Sequence, residues 1–440
     1  MRPKTGMRIA VLAAATALLV TACSGGSSPQ STQGTTAPAE KVQLNFWTWA
    51  PGMEQVIGAW NKANPNIQVT VQKQDGGDPA VTKLLTAIKA GSGAPDVMQA
   101  EYQKIPTLVA SNALADISGQ LGSDVKSHFP AGVWNSVTLG ANAVYAIPQD
   151  SGPMQFYYRA DIFDQLGLKV PTTWAEYADV AAKVRAADPT KYLGTFSAND
   201  AGWFTGLAQQ AGASWWGIKG DAWTVSIDDA ATLKVAEYWG GLVESGVINN
   251  KPMYTPEWNA ALNAGTEIGW LSAVWAPGVL AGNAPDTAGK WKMAPMPQWD
   301  PAKPATGNWG GSATAVTSQS KHVAEAVKFM TWLNTAQDGV TMLAGTGLYP
   351  ADIPGQAQAL SKPPAFFSNQ PDFYKLAGET AATAGSFTFG PNVNVTFSAY
   401  NDEFGKAAEA KSKSAFVAAV HAMQKITVDD LKNTGFTVAP

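Results

Sequence analysis

Residues 42–71 read VQLNFWTWAPGMEQVIGAWNKANPNIQVTV, and the change of period inside this stretch decides the fold class. Val42, Leu44 and Phe46 recur at every second residue, the spacing of a strand with one buried face. Met53, Val56, Ile57 and Trp60 then follow helical spacing, which Asn64-Pro65 ends. Ile67, Val69 and Val71 return to period two, and Val81, Leu84, Leu85 and Ile88 give a second helix closed by Gly91. Strand and helix alternating over short connections predict an α/β domain with a largely parallel sheet, whose ligands sit at the carboxyl ends of the strands. Trp47 and Trp49 stand at the end of the first strand.

Downstream, residues 144–163 (VYAIPQDSGPMQFYYRADIF) form one long extended segment interrupted by Pro148, Gly152 and Pro153, the form expected of a crossover between domains. Residues 170–187 (VPTTWAEYADVAAKVRAA) offer a capping box, Thr173 with Glu176, opening a helix whose apolar face is Trp174, Tyr177, Val180, Ala181 and Val184. A second long helix covers about 228–245. Residues 310–334 (GGSATAVTSQSKHVAEAVKFMTWLN) read as a strand, a Ser-capped turn and an amphipathic helix carrying Val323, Val327, Met330 and Leu333. There is no internal repeat.

Upstream, Arg2, Lys4 and Arg8 precede an apolar segment, Ile9 to Val20, too short to span a membrane as a mature helix. This is the pattern of an export signal. Val20-Thr21-Ala22-Cys23 resembles the lipobox of bacterial lipoproteins, which implies cleavage before Cys23 and diacylglycerol on its sulfur; an ordinary signal peptide is the alternative. Cys23 is the only cysteine in 440 residues, so it reads as a tether and the body has no internal disulfide. Residues 24–40 are rich in Gly, Ser, Thr and Pro, cannot form a packed core and read as a flexible linker. The folded body is expected from Lys41 onward, outside the cytoplasmic membrane.

About 400 residues with 45% apolar composition are enough for two large cores. Removal of residues 1–22 takes away three positive charges and no negative one, moving the formal net charge from −4 to −7. So acidic a body is a poor partner for nucleic acid. The 17 Trp outnumber the 16 Phe and the 11 Tyr, against only 3 His, so some indoles are expected to do more than fill cores.

Taken in order, FWTWAPGMEQVIGAWNKANPNIQVTV, GSGAPDVMQAE, YAIPQDSGPMQFYYRADIFDQLGLKVPTTWAEY, WNAALNAGTEIGWLSAVWAPG and GGSATAVTSQSKHVAEAVKFMTWL resemble the family 1 extracellular solute-binding proteins. These are the sugar receptors of ABC importers, and the family includes the maltose-binding proteins. The resemblance implies a two-lobe, type II-like periplasmic-binding-protein fold, each lobe α/β, joined by hinge strands. It divides the chain into 41–150 with 297–338 as one lobe and 151–296 with 339–440 as the other. It implies a monomeric receptor on the outer face of the cell membrane that takes a carbohydrate, most simply a di- or oligosaccharide, and hands it to membrane permease subunits without a cofactor. Tethering at Cys23 fits that role, because it raises the effective concentration of receptor beside permease.

A neutral sugar presents hydroxyls at its rim and C–H patches on its faces, so its site needs carboxylates, amides and flat aromatic rings. By resemblance the loop holding Trp49 contacts ligand, Glu101 and Tyr102 follow a strand end used for polar contacts, and Asp150 at the crossover is an acid for a sugar hydroxyl. Asn199, Asp200 and Trp203 match by position a loop of the second lobe that offers an acid and an aromatic. Trp275 in WLSAVWAPG corresponds to the family's stacking aromatic, and Trp309, between Gly307 and the pair Gly310-Gly311, sits where backbone can approach closely. Each of these rings has packing as its alternative, and Trp215, Trp216 and Trp239 read as core.

The rival reading is a membrane-anchored carbohydrate-active hydrolase, since glycosidases combine tryptophan platforms with paired carboxylates. There is no Gly-x-Ser-x-Gly elbow, no His-Glu-x-x-His and no Walker loop. His128, His322 and His421 are far apart and read as surface residues. Asp75 to Asp78 (DGGD) lacks the ligand count of a calcium loop.

Overall fold

The structure is a computed structural model that describes residues 41–439. The signal segment, Cys23 and the linker lie outside the described residues.

The opening stretch folds as its periodicity dictates. Strand β1 (Val42–Thr48), the helix Met53–Ala63, strand β2 (Ile67–Lys73), the helix Asp78–Ala90 and strand β3 (Val97–Glu101) follow in order. The first helix buries Met53, Val56, Ile57 and Trp60, the four apolar positions of its period. The second stops at Gly91, whose left-handed backbone lets its N–H reach back to Ala87 and Ile88. β1 pairs in parallel with β2 and with β3. The capping box also forms: the Thr173 hydroxyl accepts from the Glu176 amide while the Glu176 carboxylate accepts from the Thr173 amide.

Strand β4 (Ile147–Arg159) is 13 residues long. Strands β5 (Trp216–Lys219) and β6 (Ala222–Val225) form a separate hairpin, while β7 (Gly269–Ala273), β8 (Trp291–Pro295) and β9 (Asn308–Val316) complete the main sheet. Its order is β2-β1-β3-β9-β4-β7, with β8 also on β4. β9 lies antiparallel to β3 and to the first half of β4, and the second half of β4 lies antiparallel between β7 and β8. The β4–β9 register shifts between Pro148 and Asp150 and again between Ser151 and Pro153. Proline brings no N–H to a ladder, so the two prolines fall where pairing is broken.

Two hydrophobic cores result. The first gathers Phe46, Ile57, Trp60, Met98, Ala313 and Phe329, and the second gathers Phe156, Trp174, Trp203, Trp239, Trp270 and Phe404. Each core is walled by strands and helices, giving the two-lobe α/β fold. Trp215, Trp216 and Trp239 are buried in the second core. The chain passes between cores in β4 after Ile147, in β9 after Trp309, and near Tyr349, where Ser151 N–H donates to the Tyr349 carbonyl and Ala351 N–H to the Gln149 carbonyl. The sequence reading put the second and third passages near 297 and 338. The helices Val323–Thr335 and Gln337–Gly345 both bury side chains in the first core, which carries that core on to Ala351.

His128 departs from the surface reading. It is half-buried and its Nδ1 lies 2.5 Å from a carboxylate oxygen of the buried Asp352, which also caps the helix Ile353–Ala359. His421 is exposed and pairs with Asp228 at 3.0 Å.

Candidate functional site

A cavity of about 270 Å³ lies where residues attached to the two cores face each other. Gly77, Glu101, Gln103 and Lys104 come from the first side; Asn199 to Gly202, Phe397 and Asn401 come from the second; Trp309 and Gly310 come from the passage strand β9.

Glu101 is the last residue of β3, at the carboxyl edge of the parallel strands, where an α/β sheet presents its ligand-facing groups. The 3₁₀ turn Tyr102–Lys104 follows at once and buries Lys104, whose ammonium donates to Asn394 Oδ1 at 2.6 Å and lies 5.2 Å from the Phe397 ring. Asp200 caps the helix Ala201–Gln210, its carboxylate accepting from the Trp203 amide at 2.9 Å. Desolvation is the main reason its pKa is pushed up to about 7; the Trp203 bond opposes this, the charge of Glu101 across the gap adds to it, and a bond from the Trp309 side chain opposes it again.

Trp309 is held by its glycines. Gly310 and Gly311 both have left-handed backbone, φ 74° and 89°, which a residue with a Cβ rarely adopts. A Cβ on Gly311 would come within 2.8 Å of the Tyr102 ring, and one on Gly202 within 3.1 Å of the Trp309 indole. Glycine at 202 therefore lets the indole reach the capping acid. Trp275 packs edge-on against Trp309, centroids 4.7 Å apart, and its indole N–H donates to the Trp309 carbonyl at 3.1 Å.

Of the residues singled out in the sequence, Glu101, Asn199, Asp200 and Trp309 line one cavity. Trp275 supports it through Trp309. Trp49 is partly buried at the end of β1, its amide bonded to Gln99 Oε1 at 3.3 Å and its ring close over Gly76. Tyr102 is buried, and its hydroxyl donates to the Asp150 carbonyl at 2.9 Å. Asp150 is buried between the passage strands, where its carboxylate accepts from both the amide and the hydroxyl of Ser312. Burial pushes its pKa up to about 6 even against those two bonds. It locks β4 to β9 and does not line the cavity. Trp203 lies in the second core, its indole N–H donating to the Leu271 carbonyl at 3.0 Å, with its ring against Phe196 and Trp239.

Gln103, Lys104, Phe397 and Asn401 went unnoticed in the sequence. Phe397 and Asn401 are four apart and so share a face of the helix Val393–Ala410, but their separation in sequence from the other lining residues gives no sign of the meeting. A second cavity of about 490 Å³ shares Gln103, Gly202, Gly310 and Phe397 with the first. Chemically, the smaller cavity combines carboxylate acceptors, amide groups and the flat faces of Trp309 and Phe397, a set suited to a ligand with hydroxyl edges and C–H faces. Among the described residues no group of three or more His, Cys, Asp or Glu is placed to hold a metal ion, and no helix is long and apolar enough to cross a membrane.

Several known proteins are similar to this chain in sequence or fold. The arabinooligosaccharide-binding protein of Bacillus subtilis (strain 168) is 23% identical over 343 residues, 73% of this chain and 75% of that protein. An uncharacterized lipoprotein of Streptomyces antibioticus is 30% identical over 196 residues, 42% of this chain and 40% of the other. The galacto-N-biose/lacto-N-biose I-binding protein of an ABC transporter from Bifidobacterium longum, solved with lacto-N-biose, superposes with a TM-score of 0.82 at 28% identity, covering 92% of this chain and all of that one. The bacterial extracellular solute-binding protein family matches residues 47–340. With the sheet order, the two cores and the sequence pattern in agreement, this chain belongs to the bacterial extracellular solute-binding proteins.

Proposed function

We propose that this protein is an extracytoplasmic receptor that binds a di- or oligosaccharide in a cleft between its two lobes and delivers it to the permease of an ABC importer. The observation that carries the reading is the meeting of Glu101, Asp200, Trp309 and Phe397 around one cavity, from both cores and the strand between them. Acids bond the hydroxyl rim and rings cover the C–H faces, so one ligand touches both lobes. Such a ligand favours the closed arrangement by its differential affinity for it. The names of the relatives support carbohydrate as the ligand class and an ABC transporter as the destination. Lipidation at Cys23 would hold the receptor at the outer face of the membrane as a monomer beside its permease.

The facing carboxylates Glu101 and Asp200 are also what a hydrolase would need. Calorimetric titration of the mature chain with a panel of arabino- and galacto-oligosaccharides, followed by mass analysis of the recovered sugar, separates the two. A receptor gives saturable binding and returns the sugar intact. Shortened products mean a hydrolase, and no binding across the panel removes carbohydrate as the ligand class.

A further inference from the structure

Away from the three passages of chain, two hydrogen bonds join residues attached to different cores. The Lys104 ammonium donates to Asn394 Oδ1 at 2.6 Å, and the Thr107 hydroxyl donates to the Pro391 carbonyl at 2.8 Å. Lys104 and Thr107 belong to the 3₁₀ turn and the helix Ile105–Ala110 that follow β3, and Ile105 and Leu108 of that helix are buried in the first core. Pro391 and Asn394 stand at the start of the helix Val393–Ala410, whose Val393, Tyr400 and Phe404 are buried in the second core.

The second anchor is itself fastened. The Asn392 side-chain amide donates to the Thr427 carbonyl and to the Asp430 carboxylate, each at 2.9 Å, and the Thr396 and Thr427 hydroxyls bond at 2.8 Å. These bonds tie the helix start to the helix Lys413–Asn433. A further close approach lies nearby: a Cβ on Gly132, in the helix Ala131–Thr138, would stand 3.5 Å from the Ser386 Cα. That helix buries Trp134 and Val137 in the first core, and Phe387, next to Ser386, packs against the second.

Nothing covalent maintains these contacts, unlike the three passages. Phe397, three residues beyond Asn394 on the same helix, lines the smaller cavity together with Lys104. A movement that widens the cavity at this edge must therefore break the bonds. Thr107, Pro391 and Asn394 line neither cavity, so whatever they do for a ligand passes through the arrangement of the lobes.

We propose that the Lys104–Asn394 and Thr107–Pro391 bonds form a latch that holds the lobes together before any sugar arrives. A bond made in one of two arrangements shifts the population towards that arrangement by its own free energy. The ligand then has less closing work to supply, so the latch raises affinity from outside the cavity. The proposal rests on the closing motion in the receptor reading above and is independent of the ligand's being a carbohydrate.

Thr107→Val removes one donor at nearly constant shape, and Asn394→Ala removes the acceptor of Lys104. Asn394→Asp keeps an acceptor there and sets a negative charge against the ammonium. Small-angle scattering is measured on the sugar-free mature chain and fitted as a mixture of closed and open forms, with circular dichroism and melting temperature on the same preparations. Thr107→Val and Asn394→Ala should each move the closed-to-open ratio roughly two- to tenfold towards the open form, read as a larger radius of gyration, and the double variant should move it further. Asn394→Asp should keep the wild-type radius or a smaller one. An unchanged radius in the folded double variant, even with a lowered melting temperature, would make these bonds ordinary packing contacts and overturn the latch. Calorimetric titration of the same preparations with lacto-N-biose tests the carbohydrate reading apart: absence of binding by the wild type counts against that reading for this sugar, while the sugar-free scattering decides the latch in either case.

Discussion

Trp203 and Trp275 are both tryptophans that the sequence offered as ligand contacts, and they occupy different environments. Trp203 is 1% exposed inside the second core, so Trp203→Ala should cost about 3–5 kcal/mol of stability through the cavity it leaves, while the folded fraction binds ligand nearly as before. Trp275 holds the Trp309 carbonyl and the edge of its ring. Trp275→Ala should therefore weaken binding by about 1–3 kcal/mol; denaturant melts and titrations on the same preparations separate the two cases. Asp200 makes its own prediction. Because burial pushes its pKa up to about 7, a hydroxyl-donating ligand selects the ionised form, so affinity should rise between pH 6 and pH 8 and flatten in Asp200→Asn. Affinity that falls over this range in the wild type would mean that the acid binds ligand protonated. Glu267 is buried in the second lobe, hydrogen-bonded to Asn249, and burial raises its pKa from 4.5 to about 8. The folded state thus holds a proton that the unfolded chain has lost. Its favourable contribution is complete below about pH 4.5, declines as pH rises towards 8, and is flat beyond. Relative to Glu267→Gln, the wild type should lose stability across that window, which urea titrations at a series of pH values would show.

Local pattern carried most of the secondary structure. The apolar faces read for the helices opening at Met53 and Trp174 are the faces buried, because an amphipathic helix has one way to bury its stripe. The crossover was legible from Pro148 and Pro153, which bring no N–H to a ladder, and from Gly152, which weakens a strand. What lay beyond reach was the partner of each strand. Nothing local to residues 269–273 or 291–295 announces that both flank the second half of β4 in antiparallel register, so a mostly parallel sheet was the expectation, whereas among the described strands of the main sheet only the β1 pairings are parallel. Asp150 shows the same limit for the site. Its position in the crossover was readable, but the Ser312 bonds that engage its carboxylate come from a strand 162 residues later. The close passage of β4 and β9 gives a direct test. A Cβ on Gly152 would lie 2.2 Å from the Trp309 carbonyl oxygen, so Gly152→Ala must push the two strands apart. Denaturant unfolding should register a loss of about 1–3 kcal/mol, the usual range for overpacking, and unchanged stability would show that this passage tolerates movement.

Three adjacent passages of chain join the two cores, and the proposed receptor function makes ligand binding depend on how the lobes lie about them. If the sugar bridges Glu101 on one side and Asp200 on the other, saturation should lower the radius of gyration seen by small-angle scattering. The tether adds a separate expectation: Cys23→Ala should be exported without lipid and move from the detergent phase to the soluble extracytoplasmic fraction. Equal partitioning of wild type and variant would remove the anchor. The two-lobe fold was readable from the order of five sequence stretches, since that order reflects the whole fold; the cavity lining contributed by Phe397 and Asn401 was not, because a helix face takes its meaning from what it meets. The most direct test of the account is a crystal structure of the mature chain with the saccharide that calorimetry identifies. An intact sugar is expected between Glu101 and Asp200, in contact with both lobes and with a ring against Trp309. A sugar seated outside this cavity, or touching one lobe alone, would contradict it.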